Sequence, residues 1–111
     1  MNIWVVDDDP AIVSLLSIAV ARVGAQYQGF SSVEEALRTL QEERAHPDVC
    51  LADWSLKDGP ILRIRPLMPK TRFVVMSGNP AVEDSLPAGI EWLPKPFRLA
   101  ELNRLLTPRE H

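Results

Sequence analysis

Short apolar runs alternate along this chain with longer stretches in which apolar residues recur every three or four positions. The runs cover residues 3–6, 26–30, 49–52, 73–76 and 90–93 and are rich in β-branched or aromatic side chains. Four of the five show little polar alternation, as strands do when both faces of a parallel sheet are covered. The first intervening stretch places Ile12, Leu15, Leu16, Ala19, Val20 and Val23 at helical spacing, with Asp9 as N-cap, Pro10 at the first helical position and Gly24 as C-terminal stop. A second helix begins at Ser31 or Ser32, each with a glutamate three residues on (Glu34, Glu35), and buries Val33, Ala36, Leu37 and Leu40. The last helix carries Leu99, Leu102, Leu105 and Leu106.

Two helical stretches are poorer. Pro60, Pro66 and Pro69 crowd the third, while Pro80 and Pro87 bracket the fourth. Proline disrupts helix interiors, which limits each to about two turns. The pattern is five strand–helix units, and right-handed crossovers make it a doubly wound α/β fold: a five-stranded parallel sheet with helices on both faces, the third and fourth shortened.

The 111 residues suffice for one domain, residues 1–111, and a single core. A hydrophobic fraction of 46% and a charged fraction of 24% belong to an ordinary globular protein. A net charge of −3 argues against direct nucleic-acid binding, and Arg63, Arg65, Lys70 and Arg72 read as a solvated basic face. No apolar run is long enough for a signal peptide or membrane span, so no membrane association is expected. Cys50 is the single cysteine; it suits a buried, inert position in a reducing cytoplasm.

In doubly wound sheets the site lies beyond the carboxyl ends of the strands. Asp7, Asp8 and Asp9 follow the first strand, Asp53 the third, Ser77 the fourth and Lys95 the fifth, so the fold gathers them at one edge. Two carboxylates about 4 Å apart repel by about 4 kcal/mol at an effective dielectric near 20, which a hard cation such as Mg²⁺ relieves. The ammonium of Lys95 and the hydroxyl of Ser77 suit phosphoryl oxygens. Together these groups make a site for an aspartyl phosphate. Some have plainer uses: Asp9 as a helix cap, Asp7 or Ser77–Gly78 as turn chemistry, Trp92 as a core residue of its strand.

Four segments, Val5-Val6-Asp7-Asp8-Asp9-Pro10, Leu51-Ala52-Asp53-Trp54-Ser55, Val75-Met76-Ser77-Gly78 and Leu93-Pro94-Lys95-Pro96-Phe97, resemble in order the signature segments of response-regulator receiver domains, the CheY-like superfamily of two-component signalling. The resemblance spans nearly the whole chain. It implies a flavodoxin-like (receiver) fold with Asp53 as phosphoacceptor and a bound Mg²⁺ held directly by Asp8 and Asp53, through water by Asp7, and by the backbone carbonyl of Ser55. It further implies that Ser77 and Lys95 contact the phosphoryl group, that Ser77 and Trp92 act as the switch pair, and that the bond before Pro96 is cis. Ser55 and Asn79 are expected to border the path of an attacking water. The implied role is phosphorelay signal transduction rather than turnover, with a sensor histidine kinase or phosphotransfer protein as donor and, as one option, a homodimer through the last two helices.

The chain departs from the family pattern in having fewer residues between Asp53 and Ser77 and between Ser77 and Lys95, with Lys57 and Asp58 where a longer loop is usual. The shortening coincides with the third and fourth helices, and the fourth belongs to the face that receivers commonly use for dimerisation and signalling. Ending at His111 soon after the last helix, the chain is expected to carry no DNA-binding or enzymatic output domain, acting by protein contacts alone or as a piece of a longer regulator. A haloacid-dehalogenase-like phosphohydrolase with Asp7 as nucleophile is a second reading, but Ala11 stands where Thr or Val is expected and there is no cap insert. A phosphorylation-independent, receiver-like binding module is a third. A nucleotide-binding role is weaker still, since no glycine-rich loop follows the first strand.

Overall fold

Apolar runs without alternation become strands covered on both faces. The computed structural model describes residues 1–43, 46–56 and 61–106. Within them β1 (Asn2–Val6), β2 (Gln26–Phe30), β3 (Val49–Asp53), β4 (Arg72–Ser77) and β5 (Glu91–Pro94) form one sheet in the order β2-β1-β3-β4-β5. Every pairing is parallel, with Ile3 opposite Val49, Asp53 opposite Met76 and Ser77 opposite Pro94. Because strand side chains alternate, Trp4, Val6, Cys50, Ala52, Phe73 and Val75 share one face while Ile3, Val5, Leu51, Val74 and Met76 share the other. The result is the expected doubly wound, five-stranded parallel sheet.

Helices α1 (Pro10–Arg22) and α4 (Leu99–Leu106) cover the second face through Leu16, Ala19, Val20, Leu102 and Leu106. Helix α2 (Val33–Glu43) covers the first through Val33, Ala36 and Leu40. Asp9 caps α1 by accepting from Ala11 N at 2.9 Å, and Gly24 follows the helix at φ +73°, a conformation open to glycine. The cap of α2 differs slightly from the capping-box expectation. Ser32 Oγ accepts from Glu35 N at 3.1 Å, but the returning Glu35 carboxylate takes Ser31 N (3.1 Å) and Ser31 Oγ (2.9 Å).

The two shortened helices depart from expectation in different ways. The third is no α-helix among the described residues: two 3₁₀ turns, Ile61–Arg63 and Arg65–Leu67, stand in its place. Pro66 has no N–H to continue a ladder and Pro69 follows within three residues, so the chain closes tight turns while still burying Ile61, Ile64 and Met68. Pro60, Lys57 and Asp58 lie outside the described residues, as does the tail from Thr107 to His111. The fourth expected helix is α3 (Ala81–Ser85), five residues long. It ends because Leu86 precedes Pro87 and is forced to extended backbone, ψ 137°.

The basic face is only partly solvated. Arg72 is half-buried: its guanidinium grips both oxygens of Glu91 and donates to Leu105 O at 2.6 Å, tying β4 to β5 and to the end of α4. Arg65 donates to Ala88 O at 2.8 Å. Cys50 is buried and burial pushes its thiol up to about 12, so it is unreactive in the folded chain. Among the described residues no helix is long and apolar enough to cross a membrane.

Gly29 permits a cross-layer contact. The Tyr27 hydroxyl donates to Val13 O in α1 at 2.8 Å, and a Cβ on Gly29 would sit 2.7 Å from that hydroxyl and 2.9 Å from Val13 Cγ1. Gly29→Ala is expected to displace the hydroxyl from its acceptor and cost about 1 kcal/mol. Urea denaturation of Gly29→Ala against the Tyr27→Phe, Gly29→Ala double variant checks this, since the double variant has no hydroxyl to displace.

Candidate functional site

Three strands end together at the carboxyl edge of the sheet, and each delivers one polar side chain there. Asp53 and Ser77 are the last residues of β3 and β4, and Asp7 directly follows β1. These are the three buried polar or charged residues of the described core, at 1% exposure for Asp7, 8% for Asp53 and 6% for Ser77. Backbone bonds fix their places: Asp7 N donates to Phe30 O at 3.0 Å, Trp54 N to Met76 O at 3.0 Å, and Lys95 N to Ser77 O at 2.9 Å. The Lys95–Pro96 peptide bond is cis.

Lys95 reaches back across the edge. Its Nζ donates to Asp7 Oδ2 at 2.9 Å and lies 3.5 Å from Asp53 Oδ1. One ammonium thus faces two carboxylates from different strands. Burial lowers the Lys95 pKa, but the hydrogen bond to Asp7 and the charges of Asp53 and Asp7 outweigh it and leave it raised. Burial raises the Asp53 carboxyl and nearby Asp7 adds to the rise, while the Ser55 N–H (3.3 Å) and Lys95 pull it down; the net shift is upward.

Asp8 stands exposed at the rim. Asp7, Asp8 and Asp53 each offer a carboxylate oxygen, all within 4.8 Å of one another. The all-oxygen donors fit a hard cation. Both oxygens of Asp7 already have partners, Oδ1 accepting from Asp9 N at 2.9 Å and Oδ2 from Lys95. That leaves Asp8 and Asp53 freer to coordinate directly, and makes Asp7 a poor nucleophile.

The remaining expected residues gather nearby. Ser55 is exposed beside Asp53, and Trp54 is half-buried against the α2 side of the core. Ser77 Oγ accepts from Asn79 N at 3.1 Å, while the Ser77 carbonyl accepts from both Lys95 N and Trp92 Nε1 (3.2 Å). Trp92 is half-buried and belongs to neither core cluster, so it is not the plain core residue that its strand position allowed. Asp9 is the helix cap and not part of the acidic set. The ion pair between Lys95 and Asp7 has no signal in the sequence, where eighty-eight positions separate the partners and Lys95 suits a phosphoryl oxygen.

No protein-family model matches the chain. It is 29% identical over 113 residues to the DNA-binding transcriptional regulator NtrC of Proteus hauseri, a match covering 95% of this chain and 24% of that protein. Against NtrC of Azospirillum brasilense it is 32% identical over 109 residues, covering 91% of this chain and 22% of the other. The chain therefore spans about a quarter of the length of these curated relatives. Among solved structures, the beryllofluoride-activated NtrC4 receiver domain dimer superposes with a TM-score of 0.81 at 25% identity, covering 95% of this chain and 92% of that one. A response regulator receiver domain protein from Clostridium thermocellum shares the fold at TM-score 0.81 and 24% identity, covering 95% and 90%.

Proposed function

We propose that this chain, a response-regulator receiver domain in fold and in sequence, takes a phosphoryl group onto Asp53 and switches a protein-interaction surface in response. The observation that carries this reading is the single ammonium of Lys95 lying 2.9 Å from Asp7 and 3.5 Å from Asp53 at the open edge of the sheet. Asp8, Asp53 and the Ser55 carbonyl, with Asp7 acting through water, would hold Mg²⁺, whose charge when bound offsets both the carboxylates and the entering phosphoryl oxygens.

The Asp53 oxygen attacks phosphorus, forming an O–P bond as the P–N bond to a donor phosphohistidine breaks. The electron pair stays on the imidazole nitrogen, which solvent protonates. Lys95 shifts from Asp7 toward a phosphoryl oxygen, and the Ser77 hydroxyl donates to another. Water later cleaves the O–P bond, returning the carboxylate and inorganic phosphate. Asp53 is thus a group-storing residue of a signalling domain, not the nucleophile of an enzyme turning over a separate substrate. The donor is a sensor histidine kinase or phosphotransfer protein, which puts the domain in the cytoplasm. By likeness to the NtrC4 receiver dimer, a second copy meeting α3 and α4 is the self-association this reading implies.

Tryptophan fluorescence tests the assignment, because Trp54 adjoins Asp53. Mg²⁺ followed by beryllofluoride should change the emission of the wild type. Asp53→Asn should abolish the beryllofluoride response, and Asp8→Asn should weaken Mg²⁺ binding at least about tenfold. A Trp54→Phe control separates the signal from Trp4 and Trp92. An unchanged beryllofluoride response in Asp53→Asn would overturn the reading.

A further inference from the structure

A cavity at the amino edge of the sheet carries a cation with no ion-pair partner among the described residues, and we propose that it binds a small aromatic carboxylate. The cavity, about 410 Å³, lies between the 3₁₀ turn Arg65–Leu67 and the loop leading into β5, and is lined by Arg65, Pro66, Met68, Pro69, Phe73 and Gly89, with Thr71 at its side. This size, with apolar side chains around one charged group, is that of a small-molecule site. Met68 and Phe73 form its buried floor, each 1% exposed. Gly89, at φ +87°, has no Cβ; one placed there would meet Arg65 Nη2 at 3.2 Å. Thr71 precedes β4 and Gly89 stands two residues before β5, so the cavity is at the opposite end of the strands from Asp53.

Charge complementarity selects the ligand. Arg65 is half-buried and donates from Nη2 to Ala88 O at 2.8 Å. The ion pairs among the described residues do not include it: Glu34 pairs with Arg63, Glu91 with Arg72, and Asp7 and Asp53 with Lys95. A guanidinium holds five N–H groups in a planar fork, so the rest of that fork is open to a carboxylate, which takes two parallel hydrogen bonds from it. Thr71 Oγ1 already donates to Pro47 O at 2.6 Å and leaves this role to Arg65. No acidic side chain lines the cavity, and the exposed Lys70 adds a second positive charge nearby. Around the guanidinium stand two proline rings, the Met68 thioether and the Phe73 ring, surfaces that suit a flat aromatic body. An inorganic anion would engage the fork alone and leave these walls wet.

Titration of the isotope-labelled chain with naphthoate, followed by backbone amide NMR shifts, tests the proposal. Saturable shifts should centre on Arg65, Met68, Thr71 and Gly89. Naphthamide, with the same shape and no charge, and acetate, with the charge and no ring, should each bind at least about tenfold more weakly. Arg65→Gln should weaken naphthoate by about tenfold and bring acid and amide to the same affinity. The comparison of acid with amide on the wild type needs no variant to fold. Asp53→Asn should bind naphthoate as the wild type does, so failure of the phosphoacceptor reading leaves this one standing. Shifts centred on Ile12, Leu15 and Phe97, where an apolar groove runs beside Lys95, would put the ligand elsewhere and overturn the proposal. Equal binding of acid and amide, naphthoate binding that Arg65→Gln leaves unchanged, or no saturable shift at millimolar naphthoate would each overturn it too.

Discussion

Lys95→Met is expected to lower the stability of the metal-free protein by about 3 kcal/mol and to slow phosphoryl uptake from a small donor on the order of 100-fold. The ammonium sits against Asp7, whose side chain is wholly buried, and near Asp53, which is almost so. Methionine keeps the stem volume and removes the charge, leaving two carboxylates facing each other across the strand ends. Removing one partner of a buried pair costs about 3–5 kcal/mol, and the partial exposure of Lys95 places the effect at the lower end. The pH dependence has a defined sign. Because the folded Lys95 pKa is raised, the pair's contribution is complete below the unfolded lysine value of about 10.4 and is lost as pH rises through the folded one.

Two companion measurements separate electrostatics from packing. Adding Asp7→Asn to Lys95→Met removes the orphaned carboxylate and should recover most of the lost stability. Millimolar Mg²⁺ should also stabilise Lys95→Met more than the wild type, since a cation held by Asp8 and Asp53 supplies part of the missing charge. Urea denaturation with and without Mg²⁺ checks both. A Lys95→Met protein as stable as the wild type without metal would mean that the two carboxylates are not held in repulsion, and the electrostatic account of the site would fail.

The sheet was legible because its central strands are apolar throughout, and no other short element tolerates Val49, Cys50, Leu51 and Ala52 in succession between turn signals. Once the strands were placed, the position of the site followed, since Asp7, Asp53, Ser77 and Lys95 each end or directly follow one. What the sequence hid was set by partners distant along the chain. Local clustering of basic residues marks Arg72 as one of a solvated group, yet Glu91 and Leu105 O draw it inward. Trp92 reads as core from its neighbours, but β5 is an edge strand and its side chain finds the Ser77 carbonyl instead. The third helix is short, as its prolines predict, and is 3₁₀ rather than α for a local reason. With Pro66 and Pro69 inside two turns, burial of Ile61, Ile64 and Met68 is met by 3₁₀ geometry at lower cost than by an α-helix lacking its ladder.

Asp53→Asn should stabilise the metal-free protein at neutral pH while abolishing phosphoryl uptake. Burial, reinforced by Asp7, raises the Asp53 pKa above its unfolded value, against the opposing pull of Ser55 N and Lys95. The folded state therefore binds a proton more readily than the unfolded one. Stability falls as pH rises from the unfolded value of about 3.9 through the folded one, and above that the full penalty of a charged Asp53 is carried. Asparagine is neutral throughout, nearly isosteric, and keeps an oxygen for the Ser55 N–H. Its gain, on the order of 1–2 kcal/mol or several degrees in Tm, should be complete at pH 7, shrink as the solution is acidified, and vanish below about pH 3.9. Saturating Mg²⁺ works in the opposite direction, since it stabilises the wild type through the carboxylate that the variant lacks; at ten times its Kd the gain is about 1.4 kcal/mol, enough to close or invert the gap. Thermal melts of both proteins across pH, with chelator or Mg²⁺, read the crossing directly. A Tm difference that ignores pH and metal alike would show that the Asp53 carboxylate is not the charge that the site is built to have neutralised.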